Sequence, residues 1–246
     1  MQRDDLINYL TTLLEPDNFQ DFAPNGLQVE GRSKVRRIVS GVTASQALLD
    51  AAVAAEADLI LVHHGYFWKG ENPAITGMKR RRLATLLAHD INLVGYHLPL
   101  DAHRHYGNNR QLGDLLGIRD AAPASGLVWM GQLPEPKTGR EFRQLISERL
   151  GREPVHVESG PERISKVAWC TGGAQGYISK AIELGADAYI SGEISEPTTH
   201  SARECGIHFF AAGHHATERY GAKALGEHLA EKFGLENQFI DIDNPA

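Results

Sequence analysis

At 246 residues, with 42% hydrophobic and 23% charged residues, the chain has the composition of a globular protein with room for one large or two ordinary domains. Its net charge of -6 excludes a surface built throughout to grip nucleic acid, and no apolar run approaches the ~20 residues of a membrane-spanning helix. The opening "MQRDDLINYL" lacks the basic-then-apolar layout of a signal peptide, so the expected location is the cytoplasm, with no membrane partner.

Leu6, Ile7, Leu10, Leu13 and Leu14 recur at helical spacing and predict an opening helix. The Pro, Asn, Asp and Gly of "PDNFQDFAPNGLQVEG" then predict a loop. "RRIVSGV" (36–42) reads as a strand, "SQALLDAAVAA" (45–55) as a helix and "DLILV" (58–62) as a buried strand, which makes a βαβ unit. The alternation continues with a helix over 81–89, a strand over 91–96 and a helix over 109–116. "RDAAPASG" (119–126) interrupts the periodicity and marks the expected boundary between domains 1–125 and 126–246. Beyond it, strands are expected at "LVWMGQL", "PVHVES", "SKVAWCT", "DAYISGE", "IHFFAAG" and "QFIDI" (238–242). Helices are expected over 140–150, "QGYISKAIELG", 196–204 and from about 216, and the last helix and strand are open to packing back on the first half. Cys170 and Cys205, each in an apolar stretch and without CxxC spacing, read as buried core thiols.

Shifted by 129 residues, Ile38–His64 lies without a gap over Val167–Glu193, and strand, helix and strand coincide. Gln46/Gln175, Ala52/Ala181, Ala57/Ala186 and Asp58/Asp187 are identical in that frame. At a shift of 117, "HLPLD" lies over "HHATE", each with a histidine four residues before a carboxylate. The expected fold is therefore α/β: two similar α/β domains from an internal duplication, with mostly parallel sheets.

Three clusters carry candidate chemistry: His63-His64, His97 with Asp101, and His214-His215 with Glu218. Each follows the C-terminal end of a predicted parallel strand, where open α/β sheets place their ligands. His63 and His64 are neighbours on a strand and are expected to point to opposite faces. His214 and Glu218 share a helical face if a helix starts near His214, whereas Pro99 argues for a turn around Leu98. A single histidine at a strand end is ordinarily a hydrogen-bonded core or surface residue; three clusters at one sheet edge instead suggest a metal site. Imidazole nitrogen with carboxylate oxygen suits zinc, manganese, iron or nickel. His89, His105, His156 and His208 read as structural or solvated, and His103 and His200 stay open. The basic run "KRRR" (Lys79–Arg82) reads first as a solvated helix face and second as a nucleic-acid contact.

The segments "APNGLQVEG", "GVTASQ", "VHHGYFWKGE", "GYHLPLDAH", "GADAYISGEISE" and "AAGHHATER" resemble those of the bacterial GTP cyclohydrolase 1 type 2 homologue family (YbgI-like) over essentially the whole chain. The resemblance implies a dinuclear site with His63, His64, Asp101, His214 and Glu218 as metal ligands, Glu218 bridging the two divalent ions. It implies that His97 sits close to the metals, a candidate for proton transfer or support; Glu193, read from the internal repeat and not from the resemblance, is its candidate partner in catalysis. The resemblance further implies a toroidal homohexamer. The expected activity is metal-dependent hydrolysis of a nucleotide or nucleobase-like small molecule, with a GTP-cyclohydrolase-type ring opening as the named guess and damaged nucleotides among its substrates. The alternative is a metal-binding ring that binds a protein or nucleic-acid partner without catalysis. Tyr66, Trp68 and Lys69 are candidate contacts to a base or phosphate, and no Walker A or GxGxxG loop follows a predicted strand.

Overall fold

The structure is a computed structural model that describes all 246 residues. They divide into two compact units, Met1–Gly107 with Gly221–Asp243, and Asn108–Tyr220 with Asn244–Ala246.

In the first unit, α1 (Arg3–Leu14) aligns Leu6, Leu10 and Leu14 as a buried stripe. The segment read as a loop contains a short strand, β1 (Gly26–Val29), before β2 (Arg37–Thr43) and α2 (Gln46–Ala54). Ser45 caps α2 by accepting a hydrogen bond from Leu48 N. β3 (Leu59–His64) follows, then α3 (Gly77–Ala88), which begins at Gly77 rather than Arg81, and β4 (Asn92–Gly95). After β4, Leu98–Ala102 forms α4, a single helical turn where a non-helical turn was expected. Pro99 lies in its first turn, where a missing N–H breaks no intrahelical bond. β2, β3 and β4 run parallel, and β1 closes one edge antiparallel to β4. Both faces are covered, which is why β2 and β3 read as continuous apolar runs. Val39, Ile60 and Val62 pack with Leu48 and Leu86 on one side, while Ile38, Leu59 and Leu61 face a second cluster with Leu6 and Leu10.

The second unit opens with α5 (Asn108–Leu115) and β5 (Arg119–Ser125). β5 is the segment whose composition suggested a boundary; the two compact units divide after Gly107. β5 is a mostly exposed edge strand paired only with β6 (Val128–Lys137), so it has no apolar alternation and tolerates Pro123. α6 (Gly139–Leu150) starts with a capping box of Thr138 and Glu141. β7 (Val155–Val157), β8 (Ile164–Trp169), α7 (Ile178–Glu183), β9 (Ala188–Ser191), α8 (Glu196–Cys205) and β10 (His208–Ala211) complete the alternation. The sheet order is β5-β6-β8-β9-β10-β7. Only β8-β9 and β9-β10 are parallel, so this sheet is mixed rather than mostly parallel. Trp169, fully buried, donates its indole N–H to Asn109 O at 2.8 Å. Cys170 is buried, but Cys205, the last residue of α8, is exposed, against the expectation for both thiols.

The long helix α9 (His214–Phe233) begins in the second unit and belongs to the first from Gly221. β11 (Glu236–Phe239) then joins β2 in parallel, two residues before the expected strand, giving the order β1-β4-β3-β2-β11. No helix is long and apolar enough to cross a membrane.

Each unit repeats one local bonding pattern. Asp58 Oδ2 accepts from the backbone N–H of Arg36 (2.8 Å) and Arg37 (3.0 Å), and Asp187 Oδ2 accepts from those of Ser165 and Lys166 (both 2.8 Å). Asp58 N donates to Arg37 O and Asp187 N to Lys166 O, each at 2.9 Å. The 129-residue shift that aligned the sequence relates all of these positions.

His156 and His208, read as structural, form a pair in the second unit. His208 donates from Nε2 to Pro161 O (2.9 Å), so its Nδ1 accepts from His156 Nε2 (3.1 Å), and His156 stacks on Phe210. Burial first, then the neighbouring His208, lowers the His156 pKa from 6.5 to about 4. A depressed imidazole pKa means that the unfolded chain binds the proton more readily. The contribution is thus fully present above pH 6.5 and is lost as pH falls toward about 4. After allowance for solvent screening it is on the order of 1–2 kcal/mol. Urea unfolding across this window should show stability falling with acidity, and His156→Gln should flatten that slope; an unchanged slope in the variant would rule the pair out as its source.

Candidate metal centre

In the first unit, β3 ends on His63 and His64, and β4 leads through His97 into α4, which carries Asp101. The two adjacent rings do not diverge as strand alternation suggested. Their centroids are 4.5 Å apart, and the His97 ring lies 5.0 Å from His63 and 5.8 Å from His64. His64 is the last residue of the strand, past its register with β4 but still opposite Thr43 of β2. His63, His64 and His97 each bring a ring nitrogen within 4.8 Å of the others, a grouping able to hold a metal ion.

The hydrogen bonds of these rings select which nitrogen faces the group. His63 donates from Nδ1 to the Tyr96 carbonyl at 3.0 Å, which in the neutral ring leaves the lone pair on Nε2. Nε2 lies 3.5 Å from Asp101 Oδ1, and both residues are buried. Two electron-pair donors facing each other at this distance fit a shared cation. His64 Nδ1 meets the Thr43 hydroxyl at 3.2 Å, and His97 Nδ1 meets Asp21 Oδ1 at 2.6 Å. Trp68 closes one side, edge-on to His97 with centroids 5.0 Å apart. The loop bearing it holds Phe67 at φ 64°, a left-handed conformation that costs a bulky residue about 1–2 kcal/mol. Phe67 is 37% exposed, with Lys79 Nζ 5.3 Å from its ring centre.

In the second unit, His214 and Glu218 lie on the first turn of α9, as their spacing predicted, with Nε2 and Oε2 3.2 Å apart. Glu193, just after β9, holds Nδ1 of the same ring at 2.7 Å. The hydrogen bond to Glu218 is the main cause that raises the His214 pKa to about 9; burial opposes it, and Glu218's charge and Glu193 add to it. Glu218 is 2% exposed, a position in which a carboxylate needs a cationic neighbour. His214 thus has one edge on each carboxylate, and Glu193 is placed to orient the ring.

Several residues around these groups were not singled out from the sequence. Asp21 and Asn25 lie in the Pro- and Asn-rich segment before β1, and Asn25 Oδ1 accepts from His97 N at 2.8 Å. Gln28 Oε1 accepts from Tyr66 N at 2.7 Å and packs so closely on Gly65 that any Cβ there would collide with its amide. That contact accounts for the glycine of "HHG" and for the glutamine of "NGLQVEG". Gly172, at φ 68°, packs on Glu218 in the same way. His215, the second histidine of "GHH", is also buried, and its backbone N–H donates to Ala246 O at 3.2 Å.

The family model described as Duf34/NIF3 (NGG1p interacting factor 3) matches residues 1–245. A Pseudomonas aeruginosa protein named GTP cyclohydrolase 1 type 2 homolog is 58% identical over 246 residues, covering 98% of this chain and 97% of the relative. One of the same name from Escherichia coli K12 is 56% identical and covers both chains fully. Among solved structures, protein ybgI, described as of unknown function, superposes with a TM-score of 0.98 at 56% identity over the whole of both chains. TTHA1606 from Thermus thermophilus gives 0.94 at 36% identity, also with full coverage.

Proposed function

This chain belongs to the Duf34/NIF3 family, and from that premise we propose that it is a metal-dependent hydrolase acting on a nucleotide or nucleobase-like small molecule. The named reaction is a GTP-cyclohydrolase-type ring opening, with damaged nucleotides among its substrates. His63, His64, Asp101, His214 and Glu218 would hold two divalent ions of zinc, manganese, iron or nickel, and Glu218 would serve both. The observation that carries the reading is the pairing of the His63 Nε2 lone pair with the Asp101 carboxylate, 3.5 Å apart and buried. The relatives' names and the matched residues support the family reading, and a toroidal homohexamer in the cytoplasm is proposed with it on the resemblance alone. The shared Asp58 and Asp187 bonding pattern supports an origin of the two units by duplication.

Bound divalent ions supply acidification of water and polarisation of the bond to be broken. The chain's own residues do the remaining work. His97 Nε2 takes the proton from the attacking water and returns it to the leaving group. Glu193 holds His214 by Nδ1, so that Nε2 and Glu218 face the same point. Trp68 and Phe67 offer an aromatic wall to a planar base.

The alternative, a ring that binds nucleic acid or a protein without catalysis, draws on the run Lys79–Arg82. Lys79 is paired with Glu71 at 3.3 Å and Arg82 lies over the Tyr66 ring, so only Arg80 and Arg81 are fully solvent-facing. Two arginines favour it less than the buried donor set favours catalysis. Metal-reconstituted protein incubated with a panel of nucleotides, oxidised purines included, is expected to turn at least one into a product that has gained a water. No turnover across the panel, with single-stranded nucleic acid bound in a steeply salt-dependent way, would replace the hydrolase by the binding ring.

A further inference from the structure

Asp21 is a buried carboxylate at the start of the segment that leads to β1, far in sequence from every candidate ligand. Its side chain is 4% exposed and accepts four hydrogen bonds. Oδ1 takes those of His97 Nδ1 (2.6 Å) and Phe22 N (2.6 Å), and Oδ2 those of Asn25 Nδ2 (2.9 Å) and Leu98 N (2.9 Å). The bonds from Leu98 and Asn25 fasten the segment to the start of α4, a structural task. The bond to His97 does something further, because a neutral imidazole that donates from Nδ1 has its lone pair on Nε2. With Nδ1 engaged, Nε2 is the atom His97 contributes to the group it forms with His63 and His64. Trp68 packs edge-on against the ring, and Asn25 Oδ1 holds the His97 backbone N–H.

We propose that Asp21 is the positioning residue of the centre: it holds His97 in the Nδ1–H tautomer, so that Nε2 is a proton acceptor at the histidine group. The assignment rests on the reading that His97 carries protons in a hydrolase, but its physical content is the tautomer. Asp21→Asn keeps the shape and removes one acceptor. In that variant the amide carbonyl stays with Leu98 N and Asn25 Nδ2, the amide NH₂ takes the place of Oδ1 and faces both His97 Nδ1 and the Phe22 N–H, which loses its acceptor, and the ring proton moves to Nε2.

The test is nitrogen-detected NMR of ¹⁵N-histidine-labelled full-length protein at about pH 8, where histidines of ordinary pKa are neutral. The native protein is expected to show His97 protonated on Nδ1 and Asp21→Asn to show it protonated on Nε2. With a substrate from the nucleotide panel, the variant should lose about 10²–10⁴-fold in kcat with KM little changed. A native His97 protonated on Nε2 overturns the proposal without need of any variant, as does a folded Asp21→Asn protein with the native tautomer. Zinc titration of the native protein separates the two readings. If neither zinc nor, in parallel titrations, manganese, iron(II) or nickel binds while the tautomers behave as stated, the metal-dependent hydrolase fails and the positioning role of Asp21 stands.

Discussion

His63→Ala and Glu218→Gln, made separately, are each expected to strip most of the divalent metal from the protein while leaving it folded. Loss of an outer partner of a metal ligand typically costs about 10–100-fold in affinity, and loss of a ligand should cost more. The two variants act from different elements. His63 is 1% exposed, and its replacement removes an Nε2 donor and leaves the Tyr96 carbonyl short of one hydrogen bond, a cost of about 1–3 kcal/mol. Glu218→Gln preserves volume on α9 and removes the main cause that raises the His214 pKa, while Glu193 on Nδ1 still compensates the ring, so no buried cation is left unpaired. Elemental analysis of protein purified without chelator reads the metal, and circular dichroism reads the fold. Full occupancy in both variants would remove these residues as ligands.

The elements that were legible are those whose signal is local. β2, α2 and β3 show apolar runs of the right length, and the His214 and Glu218 spacing needs only a helix to bring the groups together. What escaped the sequence is set by distant partners. β1 is a four-residue edge strand in a Pro- and Asn-rich context, held by antiparallel pairing with β4 and by Gln28 against Gly65. β5 is an exposed edge, so it carries no hydrophobic period. Asp21 meets His97 across 76 residues, and nothing in "NFQDFAPNG" marks its aspartate as different from a loop aspartate. The convergence of His63 and His64 was hidden for the opposite reason: a sound rule for strands was applied to the last residue of β3, which is past its pairing with β4 and opposed only by Thr43 of β2.

Gly172→Ala is expected to weaken metal binding as an outer-partner loss does, by about 10–100-fold, although it replaces no candidate ligand. Two effects add. Gly172 sits at φ 68°, where an L side chain costs about 1–2 kcal/mol, and its new methyl would collide with Glu218 Oε1 while lying 3.0 Å from Cδ and 3.2 Å from His214 Nε2. The backbone cannot retreat easily. Gly172 N donates to Thr217 Oγ1 at 3.0 Å, and its carbonyl accepts from Gly192 N (2.8 Å), Ala174 N (2.9 Å) and Ser191 Oγ (3.1 Å). The Glu218 carboxylate is therefore the group that must move, and with it the point at which His214 and Glu218 converge. Gly176→Ala is the matched control, since a methyl there meets nothing within 4 Å. Calorimetric titration with zinc or manganese should separate the two variants, and urea unfolding should show a loss of about 1–2 kcal/mol for Gly172→Ala only. Native metal affinity in Gly172→Ala would mean that the position of Glu218 is not what the metal reads, and Glu218 would lose its place as the bridging ligand.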